Sequence, residues 1–420
     1  MTDRIESRQR LARILAAALQ SVAGRAAVRR ALAARPIAGP VWLCAIGKAA
    51  ESMALGACDS LGVASAGGLL ITKSGHLNPS RLARLGIESL VGGHPVPTAA
   101  SLDAGARLLA ALREAPTDAT LLFLLSGGAS SLVDVPVPGF DLADLQRLNR
   151  WLLGSGLPIE AMNLVRKSVS RIKAGGLLGY LADRPVRQLA ISDVPGDRPG
   201  VIGSGLLTPE PDLARRAGHL ELPEWLADWV RRGLAERTNA DKPVPATTPG
   251  LSPAMELVAT LASAKNAALE AARREGLPAR LHATFIQGDA AQCGRTLART
   301  LIDSAPGLQI WGGETTVRLP ESPGRGGRNQ HLALAAAVEM SGRDDCLLLS
   351  VGTDGTDGPT DDAGALVDGG TLDRARLAGI DALDCLNRAD SGSLLEASGD
   401  LIDTGPTGTN VMDLILGLKL

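Results

Sequence analysis

The chain has 420 residues, which is longer than one ordinary domain, so two or three domains are expected. Its 45% hydrophobic content suits a folded protein with a packed core. A net charge of −2 at pH 7 and a pI near 6.3 argue against nucleic acid or a membrane surface as a partner. The N-terminus lacks the apolar core of a signal peptide and no apolar run could span a bilayer. Five scattered cysteines without a CxxC pair fit a reducing, cytoplasmic setting.

The first half of the chain alternates between helical and strand-like segments. An amphipathic helix is predicted over 5–34, before Pro36. Short apolar strands are predicted at Val41–Ile46, Gly67–Thr72, Ile87–Val91, Leu121–Leu125 and Gln188–Ile191. Helices follow at 49–57, 102–114 (capped by Ser101), 142–153 and 160–172. This alternation predicts an α/β fold, a parallel sheet with helices on both faces.

Polar, glycine-rich loops follow four of these strands. They contain Gly47-Lys48, Gly92-Gly93-His94, Ser126-Gly127-Gly128 and Ser192-Asp193-Val194-Pro195-Gly196-Asp197. Because ligands bind beyond the carboxyl ends of parallel strands, we expect the four loops to gather on one rim. The Walker A spacing fails around Lys48, and a lone lysine after a strand is more often a surface residue. His94 is the best histidine candidate for a ligand contact, although a lone histidine is more often structural.

A segment rich in Pro and Thr, 238–253, is interpreted as a linker between domains 1–240 and 254–420. The second half continues with a helix (Met255–Glu275), a strand (Leu281–Ile286), a helix (Gln292–Ser304), an alternating β-like run (Thr315–Leu319), a helix from Leu332 and a strand (Cys346–Val351).

Two arginines, Arg325 and Arg328, lie in a glycine loop just before the predicted helix. Glycines permit close backbone approach, the N–H groups of a helix start attract anions, and guanidinium groups bind carboxylate or phosphate in a bidentate manner. The loop therefore indicates an anion site, the alternative being a glycine-rich hairpin with a solvated turn.

Acidic residues follow two of the strands. Asp354, Asp357, Asp361 and Asp362 share a Gly/Thr loop, and Asp193 and Asp197 flank a Pro-Gly turn. Carboxylates and hydroxyls without thiolate or imidazole suit Mg²⁺, but aspartates also favour such turns by hydrogen-bonding their own backbone.

Several enzyme classes are disfavoured by missing motifs. The chain has no GxGxxG, GxSxG or HExxH sequence. Ser170 and Lys173 match SxxK, but without partner motifs they are interpreted as helix positions that share a face by chance. Basic groups, glycine amides and carboxylates are the groups that phosphoryl transfer requires. The residues alone do not identify the molecule that accepts the phosphoryl group.

The chain resembles the type-2 glycerate kinases, whose C-terminal part is called the MOFRL domain. The resemblance covers nearly the whole chain. It is carried by Gly47-Lys48-Ala49-Ala50, His94-Pro95-Val96-Pro97, Ser126-Gly127-Gly128, Asn163 with Val165-Arg166-Lys167, Ile172-Lys173, Ser192 to Asp197, Gly312-Gly313-Glu314, Gly324 to Gln330, Gly352-Thr353-Asp354-Gly355, Asp357 to Asp361 and Thr404 to Asn410.

The resemblance implies a kinase that uses ATP and Mg²⁺ to convert D-glycerate to 2-phosphoglycerate. It implies an active site in the cleft between an N-terminal Rossmann-like domain and a smaller C-terminal α/β domain that contains the MOFRL region, about 305–415. By position, Lys48 and Arg325 match the family's basic catalytic residues, and we assign Asp193 to orient or deprotonate the acceptor hydroxyl. The other expected contacts are Ser126, Gly127, Gly128, His94, Glu314, Arg328 and Asn329 for substrate or nucleotide, and Asp354, Asp357 and Asp197 for the metal.

The chain departs from the family pattern at several positions in and beside these motifs. Ala129-Ser130-Ser131 stands where Gly-Ser-Ala is more usual, and Gly205-Leu206-Leu207-Thr208-Pro209 where a Gly-Pro-Thr run is common. Ser168 replaces a histidine and His331 an acidic residue.

The sequence leaves two alternative functions open. The first is a hydroxypyruvate reductase that uses NAD(P)H, a name given to some family members. The second is a sensor of sugar acids without catalysis. A homo-oligomer is also left open.

Overall fold

The computed structural model describes residues 2–182, 184–239 and 253–420, so most of the expected linker lies outside the described residues. The chain forms two compact units. The parallel-sheet unit comprises Gly24–Val258, and the mixed-sheet unit comprises Met1–Ala23 with Ala259–Leu420.

The elements up to Val258 follow the expected alternation. The helices are α1 (Thr2–Val22), α2 (Gly24–Ala34), α3 (Ala50–Leu61), α4 (Pro79–Ala83), α5 (Ala99–Glu114), α6 (Ala129–Leu132), α7 (Leu142–Gly154), α8 (Ile159–Ser168), α9 (Leu213–Gly218) and α10 (Glu224–Asn239). The strands are β1 (Val41–Ile46), β2 (Ser65–Thr72), β3 (Ile87–Val91), β4 (Thr120–Leu125), β5 (Val186–Ile191) and β6 (Met255–Ala259).

The sheet of the parallel-sheet unit has the order β3-β2-β1-β4-β5-β6, the order of a Rossmann-type sheet. The pairs β3–β2, β2–β1, β1–β4 and β4–β5 are all parallel. All six residues of β1 are buried, as expected for a central strand covered on both faces. The chain winds outward from β1 to β3 and then crosses back to β4, so the strand order reverses between β1 and β4. The expected Rossmann-like fold is confirmed.

The mixed-sheet unit contains a second α/β arrangement, as expected. Its further elements are α11 (Leu261–Arg274), β7 (Ala279–Asp289), α12 (Ala290–Ile302), β8 (Gly307–Thr316), α13 (Arg328–Glu339), β9 (Cys346–Gly352), β10 (Gly364–Asp368), α14 (Thr371–Leu377), α15 (Ala382–Asn387), α16 (Ser391–Ser398), β11 (Leu401–Ile402) and β12 (Asp413–Lys419). The sheet order is β11-β10-β9-β12-β8-β7. Strands β7 and β8 pair in parallel, and the other neighbours are antiparallel.

Helix α1 belongs to the mixed-sheet unit, although the boundaries expected from the sequence place it in the first domain. Its buried Leu11 and Ile14 pack in one cluster with α11 and the sheet. Arg8 donates hydrogen bonds to the buried carboxylates of Asp368 (2.7 Å) and Asp400 (2.8 Å). Local periodicity cannot reveal partners that lie more than two hundred residues away along the chain.

Several predicted element boundaries are wrong. The helix expected over 5–34 is two helices, α1 and α2. The helix expected from Met255 is strand β6 followed by α11, which begins after Thr260; the Thr260 side chain accepts the N–H of Ser263 as an N-cap. Strand β8 ends at Thr316, and α13 begins at Arg328 rather than at Leu332.

The N-cap of α5 is also different from expectation. Thr98 is the N-cap residue, and Ser101 lies at the third helical position and completes a capping box.

All five cysteines are free thiols. Among the described helices, none alone is long and apolar enough to cross a membrane; the bent pair Arg4–Val22 and Gly24–Ala34 meets that measure only when both are counted together.

We predict that Leu11→Ala destabilises the mixed-sheet unit by about 2–5 kcal/mol, because it leaves a cavity where a fully buried side chain packs. Thermal and urea unfolding of the purified chain measure the effect. Ile5→Ala is the matched control on the same helix; Ile5 is 54% exposed, so the change should stay within about 0.5 kcal/mol. Equal effects of the two variants would contradict the packing of α1 described above.

Candidate active site

The loops after β1 and β4 touch where the strand order reverses. A Cβ atom on Gly47 would lie 2.2 Å from Ser126 Oγ and 2.5 Å from the Ser126 carbonyl oxygen, so only glycine permits this approach. Lys48 N–H donates to the Gly127 carbonyl (2.9 Å), and Ala49 N–H donates to Ser126 Oγ (3.0 Å). These bonds fix the backbone of Lys48 against the Ser126–Gly128 loop.

The other two strand-end loops reach the same glycines. A Cβ on Gly127 would lie 1.8 Å from Asp193 Oδ2, and a Cβ on Gly128 would lie 3.0 Å from His94 Cδ2 and 3.3 Å from Lys48 Cγ. The four loops therefore gather on one rim, as predicted. The structure brings the expected residues Lys48, His94, Ser126, Gly127, Gly128 and Asp193 together in one site.

A cavity of about 320 Å³ opens beside this site. His94, Gly128 and Asp193 line it together with residues of the segments around α7 and α8. Its further polar lining residues are Ser130, Ser131, Asp134, Asn149, Asn163, Arg166, Lys173 and Ser204.

A buried ion pair lies in the wall of this cavity. Asp134 is 3% exposed and Lys173 is 2% exposed, and the Lys173 ammonium donates to Asp134 Oδ2. Ser170 Oγ donates to Asp134 Oδ1 (2.5 Å). Burial lowers the pKa of Lys173, and the Asp134 charge opposes this shift. The interpretation of Ser170 and Lys173 as chance neighbours on one helix was wrong: α8 ends at Ser168, and both side chains converge on Asp134.

A second basic group in the wall, Arg166, is held by amides instead. Its Nε donates to Asn149 Oδ1 (2.9 Å), and Nη1 donates to Asn163 Oδ1 (3.4 Å). Burial lowers the pKa of Arg166, and the Asp134 charge opposes this shift. None of these residues was selected as a site residue from the sequence. Asn163, Arg166 and Lys173 belong to motifs that carry the family resemblance, but the sequence does not show which of these charges are neutralised.

In the mixed-sheet unit, both arginines of the glycine loop contact carboxylates of the chain. Arg328 donates from Nε and Nη2 to Asp413 (2.7 and 2.9 Å), and its Nη1 lies 3.2 Å from Glu314. Arg325 donates to Glu396 (2.9 Å). The Asp413 side chain is 3% exposed and that of Glu396 65%, so the first pair is structural and the second is easily exchanged.

The N-terminus of α13, expected to bind an external anion, binds Asp357 instead. Asp357 Oδ1 accepts the N–H of Asn329 (3.0 Å), and Oδ2 accepts the N–H of Gln330 (2.8 Å). Asn329 is 2% exposed, and its side-chain oxygen accepts from Ser350 Oγ (2.7 Å), so it organises this core rather than facing a ligand. Burial raises the pKa of Asp357 to about 6, against the two backbone hydrogen bonds, which lower it.

Two of the expected metal ligands, Asp354 and Asp357, have hydrogen-bond partners within the chain. Asp354 Oδ1 accepts from the N–H and the hydroxyl of Thr356 (both 3.1 Å), which is the turn interaction weighed as an alternative. Asp357 caps α13, and Asp197 lies in a short turn of the other unit. Across residues 2–182, 184–239 and 253–420, no three His, Cys, Asp or Glu side chains are placed to hold a metal ion.

A Rossmann-type sheet with a lysine and a carboxylate at the point of strand reversal defines an α/β enzyme for a small ligand. Residues 307–413 match the MOFRL family, and residues 10–221 match the family described as Domain of unknown function (DUF4147). The chain is 37% identical to D-glycerate 2-kinase of Thermotoga maritima, over 90% of each chain. The crystal structure of a glycerate kinase from the same organism has a TM-score of 0.84 and 34% identity, covering 99% of this chain and 100% of that one.

The chain therefore belongs to the type-2 glycerate kinase family, with its MOFRL domain. A relative from Agrobacterium vitis, 35% identical over 88% of this chain and 96% of its own length, is provisionally named a hydroxypyruvate reductase.

We predict a pH-dependent effect of Asp357→Asn. The folded pKa of Asp357, about 6, is raised above the ordinary value of 3.8, so the folded chain binds this proton more tightly than the unfolded chain. The resulting stability is fully present below the unfolded pKa and is lost as the pH rises through about 6. Relative to the variant, the wild type should gain up to about 3 kcal/mol as the pH falls from about 8 to about 4. Urea unfolding across this range measures the difference, and parallel pH profiles would contradict it.

Proposed function

We infer that the protein transfers the γ-phosphoryl group of ATP to the 2-hydroxyl of D-glycerate, giving 2-phosphoglycerate and ADP. The observation that carries this proposal is the meeting of Lys48, His94 and Asp193 around the Ser126–Gly128 loop, at the edge where a Rossmann-type sheet binds ligands. The similarity to enzymes named glycerate 2-kinase supports the same chemistry.

We assign roles in this reaction to Asp193, Lys48 and Arg325. Asp193 orients the 2-hydroxyl and accepts its proton while the hydroxyl oxygen attacks the γ-phosphorus. The bond from that phosphorus to the bridging oxygen breaks, and ADP leaves with the bond's electrons. The ammonium of Lys48 neutralises charge on the transferring group, which is the main catalytic requirement of phosphoryl transfer. Arg325 takes the same role in the family pattern, and its exposed contact with Glu396 can be exchanged for a phosphate at little cost.

Mg²⁺ is proposed to enter as part of the substrate MgATP. Magnesium in kinase sites keeps phosphate oxygens and waters as most of its ligands and takes only one or two from the protein. A chain whose described residues form no three-ligand metal site is compatible with that arrangement. Of the expected ligands, Asp354 is the better candidate, because both oxygens of Asp357 accept N–H groups of α13.

The reductase alternative is disfavoured at β1. A dinucleotide-binding sheet has a glycine fingerprint after its first strand, where backbone amides approach the pyrophosphate. Here β1 is followed by Gly47-Lys48-Ala49-Ala50, which lacks that glycine fingerprint and has a lysine in the loop.

The expected interdomain cleft, the cytoplasmic location and any oligomer stay predictions.

The direct test is ADP release by the purified chain with ATP, Mg²⁺ and D-glycerate, with enolase added to consume the product. Enolase acts on 2-phosphoglycerate and not on the 3-isomer. Immediate enolase turnover would support the proposal in full, and ADP release without it would assign the 3-hydroxyl. Oxidation of NADH with hydroxypyruvate, without any ADP release, would overturn the kinase and support the reductase.

We predict that Lys48→Ala lowers kcat about a thousandfold, because it removes a charge that stabilises the transferring phosphoryl group. The coupled ADP assay at saturating substrates measures kcat. Arg84→Ala is a control in the same unit; Arg84 is exposed and does not line the cavity, so its loss should leave kcat unchanged. Near wild-type turnover of folded Lys48→Ala would refute the role of this lysine.

A further inference from the structure

We propose that Arg166 binds the carboxylate of the acid substrate, and that the cavity beside His94 and Asp193 is the subsite for a small 2-hydroxy monocarboxylate. The subsite stands on the cavity geometry, while the identity of the acid as D-glycerate rests on the proposed function.

The first argument is the way in which Arg166 is held. It is half-buried, and its guanidinium is positioned by two amide oxygens, those of Asn149 and Asn163, which are 5% and 7% exposed. Amide oxygens orient a guanidinium but do not neutralise its charge. Among the residues that the structure describes, no carboxylate forms a salt bridge with Arg166. A half-buried cation of this kind is stabilised by an anion that arrives from outside.

The second argument is the contrast with other basic groups nearby. Lys173, in the same cavity wall, is paired with Asp134, and Lys167 is paired with Glu210. Arg237 is buried and, among the described residues, forms no salt bridge with a carboxylate. It donates to carbonyl oxygens instead and does not line the cavity. The pair Lys173–Asp134 has no net charge, so Arg166 gives this wall of the cavity its positive charge.

The third argument is the shape and chemistry of the cavity. About 320 Å³ is enough for a small organic acid, and apolar side chains such as Leu148 and Met162 form part of the wall. Arg166, His94 and Asp193 are among the polar residues that line the same cavity. A planar guanidinium can hold both carboxylate oxygens, which would leave the hydroxyl end of the acid free to meet Asp193.

The decisive experiment is calorimetric titration of the full-length chain with D-glycerate, with and without ADP. We predict that Arg166→Met weakens D-glycerate binding about ten- to a hundredfold, as expected for the loss of charge-assisted hydrogen bonds. The uncharged analogue D-glyceramide should bind wild type and variant equally weakly. Arg150→Met removes the same charge from an exposed neighbour on α7 outside the cavity, and it should bind D-glycerate like the wild type.

A second variant tests the charge while keeping the shape. Asn163→Asp places a carboxylate beside Arg166 without changing side-chain size, so it should weaken D-glycerate binding at least tenfold and leave the KM for ATP unchanged. Unchanged D-glycerate binding in folded Arg166→Met would overturn the proposal, as would an equal loss of binding for D-glyceramide.

The outcomes also separate this proposal from the proposed kinase activity. Binding that depends on Arg166 without any ADP release would keep the subsite and reject the kinase. ADP release with an unchanged KM for D-glycerate in Arg166→Met would keep the kinase and reject the subsite. Wild type that binds no D-glycerate, with or without ADP, and releases no ADP would overturn both.

Discussion

The close approach of Gly47 to Ser126 is the constraint on which the candidate site depends. Adjacent parallel strands place their carboxyl ends on one edge, but they leave a gap between the following loops. Here the gap is closed by two hydrogen bonds, from Lys48 N–H and from Ala49 N–H, to the Ser126–Gly128 loop. A side chain at position 47 would overlap Ser126 and push the lysine away. The position of Lys48 is thus set by backbone bonds and not by its flexible side chain.

In the arginine-glycine loop before α13, groups that the sequence predicts to bind an external anion are occupied by carboxylates of the chain itself. The sequence offers two guanidinium groups and a helix N-terminus, all of which favour an anion. The chain supplies that anion itself: Asp357 caps α13 and Asp413 pairs with Arg328. Asp357 follows Asn329 by 28 residues and Asp413 follows Arg328 by 85, so neither partner is visible in a local pattern.

Much of the parallel-sheet unit was predictable because its signals are local. Strand periodicity and strand-end glycines are sufficient to group Lys48, His94, Ser126 and Asp193 on one rim. Distant pairings were not predictable. The buried partners of α1 lie in α11 and in strands near the end of the chain, and Asp134 joins Ser170 and Lys173 from another segment.

Burial of the partner decides which of the basic residues can act on a ligand. Breaking the Arg328–Asp413 pair costs more than breaking an exposed pair, because it leaves the carboxylate of Asp413, which is 3% exposed, without its countercharge. An exposed pair such as Arg325–Glu396 contributes at most about 1 kcal/mol, so a phosphate can displace the glutamate. Arg325 and Arg328 are equivalent in the sequence pattern, but the carboxylate partner of Arg325 is the easier one to displace. By the same reasoning Arg166, oriented by amides and not neutralised, can accept an anion without first losing one.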